Sequence, residues 1–564
     1  MILKRPFIKP LAGLFALQLL ALTAVAQQVQ KFKHAAVVCA HPEAAKVGVA
    51  VLKKGGNAVD AAIAVQFALA VVYPNAGNIG GGGFMVYRSG TGETDALDYR
   101  EKAPGKATRD MYLDDKGNPV ASKSLMGALA SGIPGTVAGM VKAHDKYGKL
   151  NWKKDIEPAI TLAEKGFPIT AQQAGELNTH KAGFLKYNRK PTAFVKDAKW
   201  VAGDLLVQPE LANTLKLIRD KGRAGFYEGP VAAAIVRSME HTGGVITASD
   251  LQAYQAVWRK PVSGKYKDFT VISMPPPSSG GIALLTMLQQ VAKYPLDKWG
   301  FQQDSTVQLL VEVERRAYAD RAKYLGDPDF FKVPQPLLLD TQYIQSRMTT
   351  LSFDQATPSS EVNPGTLPPY ESEQTTHYSI VDSKGNAVSA TTTLNGSYGS
   401  LVVVEGGGFL LNNEMDDFSV KPGSPNMYGL VGGEANSIVP GKRMLSSMTP
   451  TIVERNGKLF MAVGTPGGST IITSVFQTIL NVIAFKQDMQ SAVAAPRFHH
   501  QWLPDEVYVE KGAISNEIRE KLEAKGYKIK ERGAMGRVDA ILVNPAGELE
   551  TGADPRGNDT GAGY

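Results

Sequence analysis

Residues 375–395, TTHYSIVDSKGNAVSATTTLN, decide how this chain folds. Residues 375–381 and 387–394 are rich in β-branched and aromatic side chains, and the turn-forming residues 382–386 separate them. This pattern predicts a β-hairpin. The hairpin starts with two polar, reactive residues rather than with apolar ones.

Two more hairpins are expected later in the chain. One joins 450–454 to 458–463, and the other joins 538–543 to 548–551. Between them, the long apolar run over 470–485 predicts a helix. The end of the chain is therefore expected to combine strands with one apolar helix.

Residues 353–374, directly before the first hairpin, have a different composition. Four prolines combine there with serines and glutamates, and no apolar periodicity remains. The pattern predicts a mobile, exposed segment. It fits an interdomain linker, and it also fits a site of chain cleavage that would make Thr375 a new N-terminus.

An N-terminal Thr375 would carry its own general base. An α-amino group titrates near about 7.7–8.0, so it can accept the hydroxyl proton of the threonine without a histidine. The residues alone leave this open, because Thr375-Thr376 at the start of a strand also follows from β-propensity. His377, inside the same strand, is expected to be structural.

Pro466-Gly467-Gly468 stands just before the predicted apolar helix. Glycines leave backbone N–H groups accessible, and the N-terminus of a helix favours negative charge. These are the requirements of an oxyanion hole. A plain strand-to-helix turn explains the same residues.

The chain before residue 353 is predicted to be mainly helical. Two glycine-rich stretches, 80–83 and 274–281, lack the phosphate-loop pattern and are interpreted as tight backbone packing. The segments in which apolar residues recur at spacings of three and four are 42–52, 59–72, 211–218, 231–239 and 307–324.

The N-terminus predicts export. Three basic residues precede an apolar run over 11–25, and the small residues at 24 and 26 are typical of a signal-peptidase site. The apolar run is shorter than the ~20 residues that a membrane span needs, which argues against an uncleaved anchor. The expected location is the periplasm, with the external medium as the alternative.

The composition argues against several classes of protein. The 564 residues are 43% hydrophobic and 20% charged, which is typical of a folded protein. The net charge of +7 is not gathered into a basic run with aromatics, so nucleic-acid binding is disfavoured.

Cys39 is the single cysteine, so no internal disulfide can form, and a buried position is expected. The serine-hydrolase Gly-x-Ser-x-Gly and zinc-protease His-Glu-x-x-His motifs are missing from the sequence.

Motifs along almost the whole chain after the leader resemble those of the γ-glutamyltransferases (γ-glutamyltranspeptidases), a family of the N-terminal nucleophile hydrolase superfamily. Before residue 375 the motifs are GGNAVDAA (55–62), NIGGGGF (78–84), DYRE (98–101), SGIPG (131–135) and MPPPSSGG (274–281). From residue 375 onward they are TTHYS (375–379), LNNEMDDF (411–418), LSSM (445–448) and TPGG (465–468).

The resemblance implies an α+β fold, a four-layer αββα sandwich, made as one inactive precursor. Self-cleavage between Gln374 and Thr375 would follow removal of a signal peptide over 1–26. It would give a mainly helical large chain over 27–374 and a small catalytic chain over 375–564, which stay together as a heterodimer.

The implied reaction takes the γ-glutamyl group of glutathione, glutamine or a related amide. It passes this group, through a γ-glutamyl-threonine intermediate, to water or to an amino acid or dipeptide. The resemblance implies no cofactor and no metal.

The resemblance also assigns catalytic roles. It makes Thr375 the nucleophile, with the Thr393 hydroxyl holding and polarising it, and makes Gly467 and Gly468 the oxyanion donors. Arg100 would bind the substrate α-carboxylate through two parallel charge-assisted hydrogen bonds. The residues assigned to assist Arg100 are Ser446 and Ser447. Those assigned to the substrate ammonium are Asn395, Glu414 and Asp417.

A long loop, about residues 418–433, resembles the lid over the donor pocket in bacterial members, and Tyr428 matches its gating tyrosine. Some relatives lack this lid. Glu414 stands where some members carry glutamine, and Thr392 where an aromatic can occur. These departures bear only on donor preference and on the balance between hydrolysis and transfer.

Two other functions remain open. A related self-cleaving acylase of the cephalosporin or glutaryl type would share the Thr375 chemistry but accept acyl groups without an α-amine, which Asp417 and Arg100 argue against. An exported amino-acid-binding protein could use the same charged pocket without turnover. Such a binder would need no scission of its chain.

Overall fold

The computed structural model describes residues 29–362 and 375–564. The predicted signal peptide over 1–26 and Gln374 of the predicted cleavage site lie outside these ranges. Within them, no helix is long and apolar enough to cross a membrane.

Over the described ranges 29–362 and 375–564, the strands form two large sheets and two small ones. In chain order they are β1 Gln30–Phe32, β2 Ala36–Cys39, β3 Gly82–Arg88, β4 Thr94–Asp98, β5 Phe167–Pro168, β6 Leu205–Leu206, β7 Val257–Arg259, β8 Val262–Tyr266, β9 Phe269–Ser273, β10 Thr376–Val381, β11 Ala387–Thr393, β12 Thr451–Arg455, β13 Lys458–Gly464, β14 Phe498–His499, β15 Val507–Val509, β16 Ile529–Glu531, β17 Asp539–Val543, β18 Leu549–Ala553 and β19 Thr560–Gly563.

The helices are concentrated before residue 350. In chain order they are α1 Pro42–Lys53, α2 Ala58–Val72, α3 Ala121–Leu125, α4 Thr136–Tyr147, α5 Trp152–Lys165, α6 Ala171–Tyr187, α7 Pro209–Lys221, α8 Ala224–Tyr227, α9 Gly229–Thr242, α10 Ala248–Ala253, α11 Gly280–Val291, α12 Leu296–Trp299, α13 Asp304–Tyr324, α14 Gln335–Leu338, α15 Thr341–Ser346, α16 Ile471–Ile483, α17 Met489–Ala494 and α18 Asn516–Ala524.

Two antiparallel seven-stranded sheets form the centre of the molecule. Sheet I has the order β19-β2-β10-β11-β3-β4-β7, and sheet II has the order β1-β18-β17-β13-β12-β9-β8. Apolar side chains from both sheets meet in a shared core that includes Val38, Phe84, Ile452 and Ile541. The sheets therefore pack face to face.

Helices cover the outer face of each sheet. A core that includes residues of α1, α2, α5 and α7 continues into Tyr378 and Ile380 of sheet I. A second core joins residues of α11, α13 and α16 to Val453 and Val463 of sheet II. The order is helix, sheet, sheet, helix, which confirms the predicted α+β four-layer sandwich.

Strand β10 lies near the middle of sheet I and pairs on both sides. It is antiparallel to β2, with Tyr378 opposite Cys39, and to β11, with Thr376 opposite Thr392. Its side chains alternate, so that Tyr378 faces the helices while the Ser379 hydroxyl crosses to sheet II and donates to the Asp539 carbonyl at 3.0 Å. This pairing fixes the position at which residue 375 enters the fold.

Most predicted elements are confirmed within one to three residues. They include the hairpin of β10 and β11, the hairpins of β12 with β13 and of β17 with β18, and the helices α1, α2, α7, α9, α13 and α16. The helical expectation for the first part of the chain omitted seven strands of the large sheets. Strand β3, for example, pairs with β11 about 300 residues later, and local periodicity carries no signal of such a pairing.

The expectation of an exposed segment over 353–374 is confirmed only in part for residues 353–362. Asp354, Gln355, Pro358, Ser360 and Glu361 are exposed, whereas Thr357, Ser359 and Val362 are buried. The Ser359 N–H donates to Asp505 Oδ2 at 2.8 Å, and its carbonyl accepts from Trp502 Nε1 at 3.0 Å. Polar contacts, rather than apolar periodicity, anchor this part of the chain.

The glycine-rich stretch 80–83 is a place of close backbone approach, as predicted. A Cβ atom added to Gly81 would lie 2.0 Å from the carbonyl oxygen of Thr393, at the end of β11. Only a residue without a side chain fits between these two backbones.

We expect Gly81→Ala to lower the free energy of unfolding by about 1–3 kcal/mol, because the new methyl group overlaps backbone that cannot move away. Gly175→Ala is the matched control. Gly175 lies in α6 with open space around its Cβ position, so alanine should stabilise the protein by about 0.4–1 kcal/mol. Denaturant unfolding of both variants checks this. Equal stability of the two variants would contradict the packing assigned to Gly81.

Candidate active site

Thr375 lies at the first described position after the gap, directly before β10, and is 5% exposed. The register that pairs Thr376 with Thr392 brings Thr393 beside it. Both threonines line a pocket of about 280 Å³. The residues that line this pocket are Arg100, Arg321, Thr375, Thr393, Asn395, Glu414, Asp417, Tyr428, Leu430, Ser446, Ser447, Met448, Gly468 and Ile471.

The structure thus brings together residues from widely separated stretches of the sequence, from Arg100 to Ile471. Of the site residues predicted from the sequence, all but Gly467 and Gln374 line this pocket. Gly467 precedes the pocket residue Gly468 in the chain and lines a second pocket, which Thr375 also lines. Gln374 is outside the described residues.

The Thr393 hydroxyl belongs to a turn at the end of β11. Its oxygen accepts a hydrogen bond from the Asn395 N–H at 2.7 Å. Asn395 has a φ of +71°, a left-handed conformation that asparagine tolerates better than most residues. Its side-chain amide donates to the Asn413 carbonyl at 3.0 Å. The turn therefore fixes Thr393 and Asn395 as one unit.

Gly467 and Gly468 connect β13 to α16 through a short 3₁₀ turn. Their φ values are +134° and +52°, which side chains disfavour. A Cβ atom on Gly468 would also lie 2.3 Å from the Tyr428 ring. Both glycines are therefore required by local geometry, and they lie at the positive end of α16.

Arg100 is the charged centre of the pocket and is 1% exposed. Its Nη1 lies 2.7 Å from Glu414 Oε2 and 3.5 Å from Glu101 Oε2, and its Nη2 donates to Asp417 Oδ2. Its Nε donates to the Met444 carbonyl at 3.3 Å. One guanidinium therefore contacts three carboxyl groups.

Burial sets the protonation of these carboxyl groups. It raises the pKa of Glu414 well above the usual range and raises the pKa of Glu101 to about 8, although the Arg100 charge opposes both shifts. Burial also raises the pKa of Asp417. A ligand cation beside these groups would favour their ionised forms.

Backbone hydrogen bonds hold the pair Ser446 and Ser447 in the pocket wall. The Ser446 N–H donates to the Pro277 carbonyl at 3.0 Å, and the Ser446 carbonyl accepts from Ser279 Oγ at 2.6 Å. Arg321 Nη2 donates to Ser447 Oγ at 3.2 Å. The predicted stretch of tight packing at 274–281 is thus the support of this wall.

Arg321 lines the same pocket and was missed in the sequence. It lies on α13, is 5% exposed, and its Nε donates to Ser279 Oγ at 2.9 Å. Burial lowers the pKa of its guanidinium. The segment 307–324 contains three arginines, and its periodicity does not distinguish Arg321 from Arg315 and Arg316.

Tyr428 closes one side of the pocket. Its hydroxyl donates to the Asn395 carbonyl at 2.7 Å, and its carbonyl accepts from Gln501 Nε2 at 3.3 Å. Asn426 of the same loop donates to Asp417 Oδ1 at 3.0 Å. The loop predicted to be a lid therefore lies across the pocket and contacts its charged residues.

None of the described residues that line this pocket is a histidine. His377 is buried in β10, where its ring nitrogens contact the Thr391 and Ser379 hydroxyls at 2.9 and 3.1 Å. Burial lowers its pKa to about 3, so its ring is neutral. This agrees with the structural role expected for His377. The pocket combines a threonine hydroxyl, glycine N–H groups and side chains of opposite charge. This combination suits acyl transfer from an amino acid derivative.

Comparison with known proteins also points to the transfer of an acyl group from an amino acid derivative. The gamma-glutamyltranspeptidase family model matches residues 44–564. The "Glutathione hydrolase proenzyme" of Escherichia coli (strain K12) is 51% identical over 535 residues, 94% of this chain and 92% of that protein. The crystal structure of Helicobacter pylori gamma-glutamyltranspeptidase is 47% identical, with a TM-score of 0.57 over 58% of this chain and 94% of that one.

A cephalosporin acylase from Bacillus halodurans shares the fold over nearly the full length. Its crystal structure has a TM-score of 0.84 and covers 99% of both chains, but it is 26% identical. The Escherichia coli glutathione hydrolase is 51% identical to this chain, whereas this acylase is 26% identical. The chain therefore belongs to the gamma-glutamyltranspeptidase family, and it is an enzyme that transfers γ-glutamyl groups.

Proposed function

We propose that this chain is an exported precursor that cuts its own backbone between Gln374 and Thr375 and then uses Thr375 to transfer γ-glutamyl groups. The observation that carries the proposal is the pocket itself, in which Thr375 and Thr393 share walls with Arg100 and Asp417. A nucleophile and both partners of an amino acid zwitterion are thus in one small space.

In the proposed self-cleavage, Thr375 Oγ attacks the carbonyl carbon of residue 374, and the peptide C–N bond gives way to an ester. The breaking of the C–N bond frees the α-amine of Thr375, which takes up the proton that the hydroxyl loses. Water then hydrolyses the ester, which restores the Thr375 hydroxyl and leaves a carboxylate on residue 374. The Gly467 and Gly468 N–H groups, near the positive end of α16, would stabilise the oxyanion.

In turnover the free α-amine acts as the general base. It takes the proton of Thr375 Oγ, which attacks the δ-carbonyl of the donor and forms a γ-glutamyl ester. The leaving amine departs with that proton. Water or an acceptor amine then attacks the ester, and Thr375 Oγ regains a proton. The Thr393 hydroxyl would keep Thr375 in position.

Donor specificity would come from the charges. A γ-linked glutamyl group keeps a free α-carboxylate and a free α-ammonium, unlike an ordinary peptide acyl group. Arg100 with Ser446 and Ser447 suits the carboxylate, and Asp417 with Glu414 and Asn395 suits the ammonium. Glutathione, glutamine and related amides are the proposed donors, because each carries this zwitterion.

The two chains would remain one molecule after cleavage. Sheet I and sheet II each combine strands from before residue 363 with strands from after residue 374, so their backbone hydrogen bonds cross the cut repeatedly. This supports a heterodimer of a large chain over 27–374 and a small chain over 375–564. Tyr428 would act as the gate of the donor pocket.

Export rests on the leader sequence. The signal pattern over 1–26 supports secretion to the periplasm or beyond, and the described part of the chain offers no helix that could span a membrane.

The first prediction concerns the nucleophile. Thr375→Ala should give an uncut and inactive precursor, because no hydroxyl is left to attack the carbonyl of residue 374. Thr375→Ser keeps a hydroxyl and is the matched control, so it should be cut. Denaturing gels and intact mass measure both. Normal cleavage of Thr375→Ala would exclude Thr375 as the nucleophile.

The second prediction concerns donor recognition. Arg100→Ala should be cut normally but should lose about 2–5 kcal/mol of donor binding, as when one partner of a buried charge pair is removed. The KM for glutathione measures the loss. Arg455→Gln is the control, because Arg455 is an exposed surface residue paired with Asp268.

An unchanged KM for glutathione in Arg100→Ala would remove Arg100 from the donor site. Rate measurements on the unmodified enzyme test the acylase alternative, which shares the fold of this chain. Equal rates on glutaryl and γ-glutamyl amides in the unmodified enzyme would favour an acylase, since a glutaryl group lacks the α-ammonium.

A further inference from the structure

Two buried aspartates and a histidine meet in the helical layer that covers sheet I. Asp60 lies in the first turn of α2 and Asp155 in the first turn of α5, and both are 0% exposed. His144 lies in the last turn of α4. A ring nitrogen of His144 and one carboxyl oxygen of each aspartate all lie within 4.8 Å of one another. Three helices therefore converge on one polar cluster.

Asp155 has no hydrogen-bond partner in this cluster. Among the described residues, none donates a hydrogen bond to either of its carboxyl oxygens. His144 Nε2 lies 3.8 Å from Asp155 Oδ2, which is too far for a hydrogen bond. Burial, together with the charge of Asp60, raises the pKa of Asp155 to about 8. Buried carboxylates are normally paired or bound to a metal ion, so this group calls for a cation.

Asp60 is held by backbone donors alone. Its Oδ1 accepts from the Lys149 N–H at 2.8 Å and from the Leu150 N–H at 3.2 Å, and its Oδ2 accepts from the Asn57 N–H at 2.8 Å. A carboxylate oxygen has two acceptor sites, so Oδ2 keeps one for a further partner. The N–H groups orient Asp60 but bring no positive charge of their own.

The lysines beside the cluster are directed elsewhere. Lys149 Nζ donates to the Gly55 carbonyl at 2.7 Å. Lys153 Nζ lies 3.2 Å from Asp220 Oδ1, on the exposed side of α5 and α7. Neither ammonium group therefore neutralises Asp60 or Asp155.

The His144 ring is held in a defined orientation. It packs edge-on against the Trp152 ring, with 5.3 Å between the centroids. A Cβ atom added to Gly148 would lie 2.5 Å from His144 Cδ2, so glycine leaves the space for the ring. His144 Nε2 lies 2.9 Å from the Leu150 carbonyl oxygen. Two ligands at right angles on an ion about 2.1 Å away are separated by about 3.0 Å, so this distance also suits two ligands of one metal.

We propose that Asp60, His144 and Asp155, with the Leu150 carbonyl as a fourth donor, form a structural site for a divalent transition-metal ion such as Zn²⁺. Imidazole nitrogen and carboxylate oxygen are ligands of Zn²⁺ at about 2.0–2.2 Å, and a closing movement of about 1 Å brings atoms within 4.8 Å of one another onto one ion. His144 binds through a neutral Nε2 and carries its proton on Nδ1. The two carboxylates balance the charge of the ion.

The ion joins α2, α4 and α5 behind the strand that leads from Thr375. Asp382, in the turn between β10 and β11, accepts a hydrogen bond from the Ala58 N–H at the start of α2, at 3.0 Å. The metal site thus stabilises the helix on which this hairpin rests. Its four donors line neither of the two pockets that contain Thr375, so the site takes no part in the proposed reaction.

The test uses the purified mature enzyme, treated with EDTA and dialysed into metal-free buffer. Titration with Zn²⁺, followed by calorimetry, should show one saturable site per molecule. At a hundredfold excess of Zn²⁺ over its Kd, the midpoint of thermal unfolding should rise by roughly 2–4 °C. Asp155→Asn and His144→Gln should each weaken Zn²⁺ binding at least about tenfold, because even the loss of an indirect contact to a metal costs about 10- to 100-fold.

His34→Gln is the matched control, because His34 is an exposed histidine outside the cluster, and it should bind Zn²⁺ like the unmodified enzyme. In metal-free buffer Asp155→Asn should unfold at the same temperature as the unmodified enzyme or above it, since the variant removes an unpaired buried carboxyl. The proposal is overturned if the unmodified enzyme shows no saturable Zn²⁺ site, or if Asp155→Asn binds Zn²⁺ equally well. If His144→Gln fails to accumulate, Asp155→Asn decides.

Discussion

The pairing of β10 with β2 on one side and β11 on the other is the constraint on which the rest of the structure depends. Backbone hydrogen bonds on both edges fix the strand, so residue 375 keeps its place whether or not the chain continues before it. The same pairing sets Thr375 beside Thr393 and, through β11 and β3, brings in the glycine-rich stretch 80–83. A protein with a single cysteine can therefore tolerate a cut at this point, because each sheet combines strands from both parts of the chain.

The second constraint is charge in a buried space. Arg100 contacts Glu414 and Asp417, and burial raises the pKa of both carboxyl groups. In the proposed function, a zwitterionic donor exchanges these contacts without changing the total charge, since its carboxylate binds Arg100 and its ammonium binds the acidic groups. A ligand with one charge alone would leave a buried group unpaired, which costs several kcal/mol. In the proposed function, burial of these charges costs free energy of folding, and the same burial makes the pocket specific for zwitterionic donors.

The sequence allowed much of this to be predicted, and the limits have a physical origin. The hairpin at 375–394 and helices α1, α2 and α13 follow from local patterns and are confirmed. Strands β2, β3 and β9 were missed, because their partners lie far away in the chain. The grouping of Arg100 with Asp417, 317 residues apart, came from resemblance to a family, since spacing alone cannot indicate it. Arg321 was missed, as was the burial of Ser359, because both depend on polar contacts without a periodic signal.

The most direct test of the account is the mass of the purified mature protein under denaturing conditions, read together with its activity on a γ-glutamyl anilide. The account predicts a fragment that begins at Thr375 with a free amine and ends at Tyr564, alongside a larger chain that ends at Gln374. An active preparation that contains only an uncut chain would contradict the N-terminal threonine mechanism.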